Sequence, residues 1–136
     1  MRYSEIKQIV DPSQKDHLKT NSEKMSAINK QTNTICYHVF TLETKFGSTA
    51  HCINFAPLYG IPEESATGTS NGALSCYLFK HGKISNSQLS RLVFEHGYSM
   101  NKPSEIIAKL VASDDRIKEV KVGGKAIISK ELEIEI

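Results

Sequence analysis

The chain of 136 residues contains no apolar run near the roughly 18 residues that a membrane-spanning helix needs. Its opening M-R-Y-S-E-I-K-Q-I-V lacks the apolar core of a signal peptide. Both absences predict a protein that neither crosses nor enters a membrane. Cysteine is scarce and odd in number: three, at 36, 52 and 76, in the apolar or alternating contexts where free thiols pack as small hydrophobes. That argues against a disulfide framework and for a reduced, cytoplasmic setting. Charge of one sign is also lacking. Seventeen basic and 15 acidic residues are scattered along the chain, for a net +2 and a pI near 8.4. Without a single basic face, nucleic acid is not an expected partner. No repeat or low-complexity segment interrupts residues 1–136, which read as one domain long enough to bury roughly two-thirds of its unfolded surface.

What is present centres on residues 63–82. Small hydroxyl-bearing residues crowd E-E-S-A-T-G-T-S-N-G, and the apolar run A-L-S-C-Y-L-F follows before K-H-G. Thr67 stands where an N-cap belongs and Gly82 where a helix stops, so the punctuation predicts a helix over about 68–81. Its apolar residues surround the cylinder, which predicts burial. Gly68 and Gly72 each cost a helix about 1 kcal/mol against Ala, so another backbone or a ligand is expected close by. The helix head is polar, small and buried at once. Thr67 and Ser70 either cap the helix or, with the free N–H groups of Gly68 and Thr69, frame a site for a carboxylate or phosphate.

The rest of the chain supplies strands. A weak strand is expected over 4–10, and a short amphipathic helix over 22–31 behind a cap at Asn21 or Ser22, with Met25 and Ile28 as a packing face. Residues 34–44 and 49–55 read as a hairpin. His38 and His51 lie one on each strand, but two histidines without a third ligand at clear spacing do not make a metal site, and no metal is expected. Further strands are expected over 91–96, 105–112, 117–122 and 125–130, the last two joined by a Gly123-Gly124 turn, with an edge strand in the alternating tail E-L-E-I-E-I. One buried helix and several strands give an α+β class: a mixed, mostly antiparallel, barrel-like sheet wrapped around the central helix.

The stretch F-A-P-L-Y-G-I-P-E-E-S-A-T-G-T-S-N-G-A-L-S-C-Y-L (55–78) resembles the E-D-P-A-T-G-S-A signature and following helix of the PhzF-like phenazine-biosynthesis isomerases, which share the diaminopimelate-epimerase fold. F-E-H-G-Y-S-M-N-K-P-S (94–104) is similar to that family's E-Q-G-x-x-M-G-R-P-S, and V-K-V-G-G-K-A (120–126) to its V-x-V-G-G-x-A. The resemblance implies the second, C-terminal lobe of a two-lobed fold, each lobe a barrel-like sheet around a helix. It implies a proton shift on a small carboxylated substrate by side-chain acid/base chemistry, with no metal or organic cofactor. Glu64 stands where the family has its substrate-facing aspartate, Gly68 and Thr69 where backbone N–H groups and a hydroxyl meet substrate.

Other matched positions depart from the pattern. Ile53 and Asn54 replace an arginine, His96 a glutamine, and Asn101-Lys102 a Gly-Arg pair. His96 is either a structural residue or a base that titrates near neutrality, and Asn101 and Lys102 are candidates to bind a substrate carboxylate. The two-thiol scheme of related epimerases does not transfer, because Cys76 lies well inside the helix and Thr67, Thr69 and Ser70 are weak as unaided bases. The main acid/base glutamate of the family belongs to the first lobe. The chain is therefore expected to be inactive alone and to need a separate first-lobe chain, or else to be a non-catalytic remnant that binds a small carboxylate or itself.

A lone lobe of this kind bares an apolar face that soluble monomers seldom expose. A homodimer is expected in the absence of a first-lobe partner, with the loops around 57–66 and 97–103, or the edge strand of the tail, at the contact. Sedimentation equilibrium at micromolar concentration should read twice the chain's 15.1 kDa; a clean monomer throughout would refute the dimer.

Overall fold

The computed structural model describes residues 20–113, 116–127 and 133. The strand expected over 4–10 lies outside these residues, as does nearly all of 128–136. Helix α1 (Ser22–Thr32) is capped by Asn21, whose side chain accepts from the Lys24 amide, and it ends at Asn33 in the left-handed conformation, φ 52°. Tyr37 Oη donates to the Met25 carbonyl, and the buried Asn29 donates from Nδ2 to the Ile35 carbonyl. These two bonds dock α1 onto the strand that follows.

The expected hairpin is present as β1 (Tyr37–Thr41) and β2 (Ala50–Ala56), antiparallel with His38 opposite Asn54 and Phe40 opposite Cys52. A 3-10 turn, Pro57–Tyr59, leads to the short β3 (Ile61–Glu64), then helix α2 (Gly68–Lys80), β4 (Leu92–His96), β5 (Ser104–Ser113) and β6 (Arg116–Gly124). The sheet order is β1-β2-β4-β5-β6, with β3 also paired to β2. Only β2 and β4 run parallel, so the sheet is mixed and mostly antiparallel. β1 pairs with β2 from His51 to Phe55, so β3 and β4 must share its other side. β4 occupies Ala50 and His51, and β3 takes over at Asn54. The sheet splits between them.

Helix α2 packs into the curl of the sheet. Leu74 and Leu78 bury against Ala50 and Cys52 of β2, Leu92 and Phe94 of β4, and Ala108 and Leu110 of β5. Each fully buried leucine contributes about 1.5–3 kcal/mol of hydrophobic stabilisation. The cylinder is not covered all round, since Thr69, Ala73 and Lys80 form an exposed stripe. Asn71 and Ser75 are buried instead. Gly123 and Gly124 make no hairpin turn: both lie in β6, opposite Ile107 and Ile106, and the ladder runs on through them. Residues 125–127 leave the sheet.

The close approach expected at the helix glycines comes from β6. Val122 Cγ1 lies 3.5 Å from where a Cβ on Gly68 would stand; at Gly72 the distances are 3.1 Å to Val122 Cγ2 and 3.5 Å to Val120 Cγ1. Gly97 is needed for another reason. Its φ is +76°, and a Cβ there would sit 2.0 Å from the Lys102 carbonyl oxygen, in a tight loop closed by Lys102 N donating to Gly97 O. The two helix glycines should therefore answer differently to Ala. Gly72→Ala should destabilise by about 1 kcal/mol, overpacking against two valines outweighing the helix-propensity gain. Gly68→Ala, at ordinary contact distance, should be neutral or stabilising by about 0.5 kcal/mol. Urea unfolding of the two variants checks the difference.

Candidate functional site

The β3–α2 junction crosses the place where the sheet splits, and a cavity of about 380 Å³ opens there. Its wall includes Glu64, Thr67, Thr69 and Ser70 of the junction, Asn54 of β2, and Cys36 before β1; Ile35, Tyr59 and Ile61 form its apolar rim. Thr67 takes the N-cap position with extended backbone, yet its side chain does not cap. It donates instead to Glu64 Oε2 at 2.7 Å. Asn54 Nδ2 reaches the same oxygen at 3.3 Å. The carboxylate is thus held by one oxygen, and among the described residues its Oε1 takes no hydrogen bond. The positive end of the α2 dipole opens toward the cavity without a side-chain cap.

Behind this wall lies a buried polar chain. Asn71, fully buried on α2, donates from Nδ2 to the Thr67 carbonyl at 2.9 Å and to His96 Nε2 at 2.5 Å, and its Oδ1 faces His38 Nε2 at 3.2 Å. The other ring nitrogen of His38 lies 3.2 Å from Asn54 Oδ1, which also accepts from Ser70 Oγ at 3.2 Å. One hydrogen-bonded path therefore runs from His96 through Asn71, His38 and Asn54 to Glu64. Burial is the main influence on both imidazoles. It outweighs the hydrogen bonds from Asn71 and Asn54 and the charge of Glu64, so His38 titrates below the ordinary range. His96 is lowered to about 4 by burial, with His38 and His51 adding to it, and its Nδ1 has no hydrogen-bond partner.

Donor atoms of His38, Cys52 and His96 lie within 4.8 Å of one another, the one group among the described residues with the residue types to hold a metal. Cys52 is a core thiol pushed far above its usual pKa by burial, with the Glu95 charge adding to it. Asn71 already joins the two imidazoles, as donor to one and acceptor from the other. Glu95, buried beside this group, ties down the loop after β1: it accepts from the amides of Lys45 and Phe46 and from Tyr98 Oη at 2.9–3.0 Å. Burial alone would raise its pKa, but these donors and Ser48 hold it below the usual carboxylate range.

The residues singled out in the sequence are thus divided. Glu64, Thr67, Thr69 and Ser70 line the cavity, and Gly68 lies in the same first turn. His96 is fully buried behind the helix, away from the cavity wall. Asn101, in the left-handed region at φ 53°, and Lys102 are exposed on the 97–102 loop and are not part of the wall. Cys36, expected in the core, is half-buried at the cavity with Sγ 3.7 Å from Ser70 Oγ. His38 does not pair with His51. It shares a sheet face with Cys52 and Asn54, while His51 points the other way and packs edge-on against Tyr98 at 4.8 Å. Asn54 and Asn71 carried no sequence signal beyond being short amides in apolar surroundings. Strand parity could have separated His38 from His51 once the hairpin register was known.

A family model described as phenazine biosynthesis-like protein (PhzC-PhzF) matches residues 6–131. An uncharacterized isomerase of Deinococcus radiodurans is 35% identical over 80 residues, which is 57% of this chain and 26% of that protein. The trans-2,3-dihydro-3-hydroxyanthranilate isomerase of Pseudomonas chlororaphis is 32% identical over 73 residues, 54% of this chain and 26% of its own length. The crystal structure of a Bacillus anthracis phenazine biosynthesis protein of the PhzF family matches with a TM-score of 0.71 at 22% identity, over 89% of this chain and 42% of that one. That last likeness is one of fold. In these comparisons the matched part of the chain corresponds to between 26% and 42% of the relative's length.

The depressed His96 pKa has a consequence for stability. An unfolded histidine titrates near 6.5, whereas His96 in the fold titrates at about 4. Between those values the unfolded chain binds the extra proton, so stability is complete above pH 6.5 and is lost as pH falls toward 4. The loss should be on the order of 2–3 kcal/mol. Denaturant unfolding from pH 7 to 4 should show it in the native chain, and His96→Gln should flatten the slope.

Proposed function

Because the chain belongs to the phenazine biosynthesis-like (PhzC-PhzF) family, whose named relatives are isomerases, we propose that its cavity is one half of a cofactor-independent isomerase site for a small carboxylated substrate. The observation that carries this is the uncapped first turn of α2 opening into a 380 Å³ cavity beside a carboxylate held by one oxygen. A space of that size suits a small ring. The substrate carboxylate docks on the N–H groups of Gly68, Thr69 and Ser70 with the Thr69 and Ser70 hydroxyls. Glu64 faces the reacting part of the ring with its unbonded Oε1. The relative's name, a dihydro-hydroxyanthranilate isomerase, points to cyclic amino-carboxylates as the substrate class.

A separate first-lobe chain supplies the principal acid/base group and closes the cavity. Ile35, Tyr59 and Ile61 rim the cavity and are 67%, 61% and 39% exposed, which is the surface such a lobe would cover. Asn101 and Lys102 reach the substrate only from the outer loop and His96 only through Asn71, so these three take supporting roles. The same bare rim favours a second reading: a non-catalytic protein that binds a small carboxylate and pairs with its own copy through this face.

Amide chemical shifts during titration with anthranilate test the site. Gly68, Thr69 and Ser70 should move together, and Ser70→Ala should weaken binding about fivefold, the worth of one modest hydrogen bond. No shift at millimolar anthranilate would sink the proposal. The chain alone should incorporate no solvent deuterium into such a ligand at an enzymatic rate, since loss of a general acid/base forfeits about 10² to 10⁴-fold; robust incorporation would remove the need for a first lobe.

A further inference from the structure

His38 is held between two amide oxygens whose orientations are fixed independently of it. Asn71 must turn Nδ2 toward the Thr67 carbonyl, a group that can only accept, so it presents Oδ1 to His38 Nε2. Asn54 must turn Nδ2 toward the Glu64 carboxylate, so it presents Oδ1 to His38 Nδ1. Each ring nitrogen therefore faces an acceptor at 3.2 Å. A neutral imidazole has one N–H and can satisfy only one of them; the imidazolium has two and satisfies both. The geometry is built for the charged ring, while burial favours the neutral one.

The titratable groups facing His38 are few. Glu64 reaches it from β3 as a negative charge. His96 of β4 has its ring centroid 5.6 Å away and is neutral near pH 7. Cys52 of β2 is a protonated thiol. Helix α2 presents Asn71, which does not titrate, and α1 meets β1 through Tyr37 and Met25 rather than His38. One negative charge is set against a buried ring with two acceptors, and the cavity wall at Asn54 and Ser70 lies one hydrogen bond away. A second negative charge in the cavity would tip that balance.

We propose that His38 takes up a proton when a carboxylate enters the cavity, and that the resulting imidazolium is a positioning residue that locks Asn54 and Asn71, and through them Glu64 and the head of α2. This rests on the carboxylate site proposed above. Proton uptake means that binding strengthens as pH falls and is lost as pH rises through the bound-state pKa of His38. In that range the anthranilate Kd should rise about tenfold per pH unit.

Calorimetry of anthranilate binding at pH 7 in two buffers of different ionisation enthalpy should show uptake of about one proton per ligand. Ring ¹⁵N shifts of His38 should change from one protonated nitrogen to two on saturation. His38→Gln, which keeps a donor and an acceptor, and His38→Asn should both abolish the buffer dependence. Binding with no proton uptake and an unchanged His38 ring would overturn the coupling and leave the carboxylate site standing. If anthranilate does not bind, both fail. If the His38 variants bind with the native proton uptake, the proton goes elsewhere and the assignment to His38 is wrong.

Discussion

Asn71 is the side chain on which the arrangement of the site depends. It is fully buried, so each of its polar atoms must find a partner inside the fold, and an unpaired one would cost about 1–3 kcal/mol. Its partners are the carbonyl that begins its own helix, the last residue of β4 and a residue of β1. One amide thus fixes the depth and rotation of the α2 head against two strands. An apolar residue would bury as well here but could not set the direction of a hydrogen bond, and Glu64, Thr67 and Ser70 would lose their common reference.

The second constraint is the split in the sheet. Because β4 pairs with β2 only at Ala50 and His51, the far end of β2 is free to take β3 at Asn54. The chain leaving β3 then has three residues, Ser65 to Thr67, in which to turn into α2. The helix head therefore lands where the sheet has opened, and a cavity forms there. Gly68 and Gly72 let β6 close on the same turn from the other side, at distances that leave little room for a methyl group. The helix is clamped between a packed face at β6 and an open one at Thr69 and Ala73.

These features accord with membership of a family of isomerases whose fold this chain shares along most of its described length. Polar chemistry lies on the cavity wall and apolar surface on its rim, as expected of a site completed by another body. The buried chain from His96 to Glu64 places two imidazoles behind the wall rather than on it. In that position they act on orientation and charge, not by touching a ligand.

The sequence by itself determined the elements whose signals are local. The α2 limits follow from Thr67 and the run to Lys80, the α1 start from Asn21, and the β1–β2 hairpin from β-branched and aromatic runs around Gly47. The motif residues Glu64 to Ser70 were legible as a site because they are contiguous. Three things were decided only by tertiary structure. Gly123-Gly124 reads as a turn locally but continues a strand, because β5 offers a partner to every residue as far as Gly124. Thr67 reads as a capping side chain, but Glu64 folds back within 2.7 Å and takes its hydroxyl. His38 and His51 read as a pair, yet pleating puts them on opposite faces and hands His38 to Asn54, Asn71 and His96, residues 16, 33 and 58 positions further along the chain. Side-chain partnership across a sheet is set by register and face, and neither is encoded within the span of a motif.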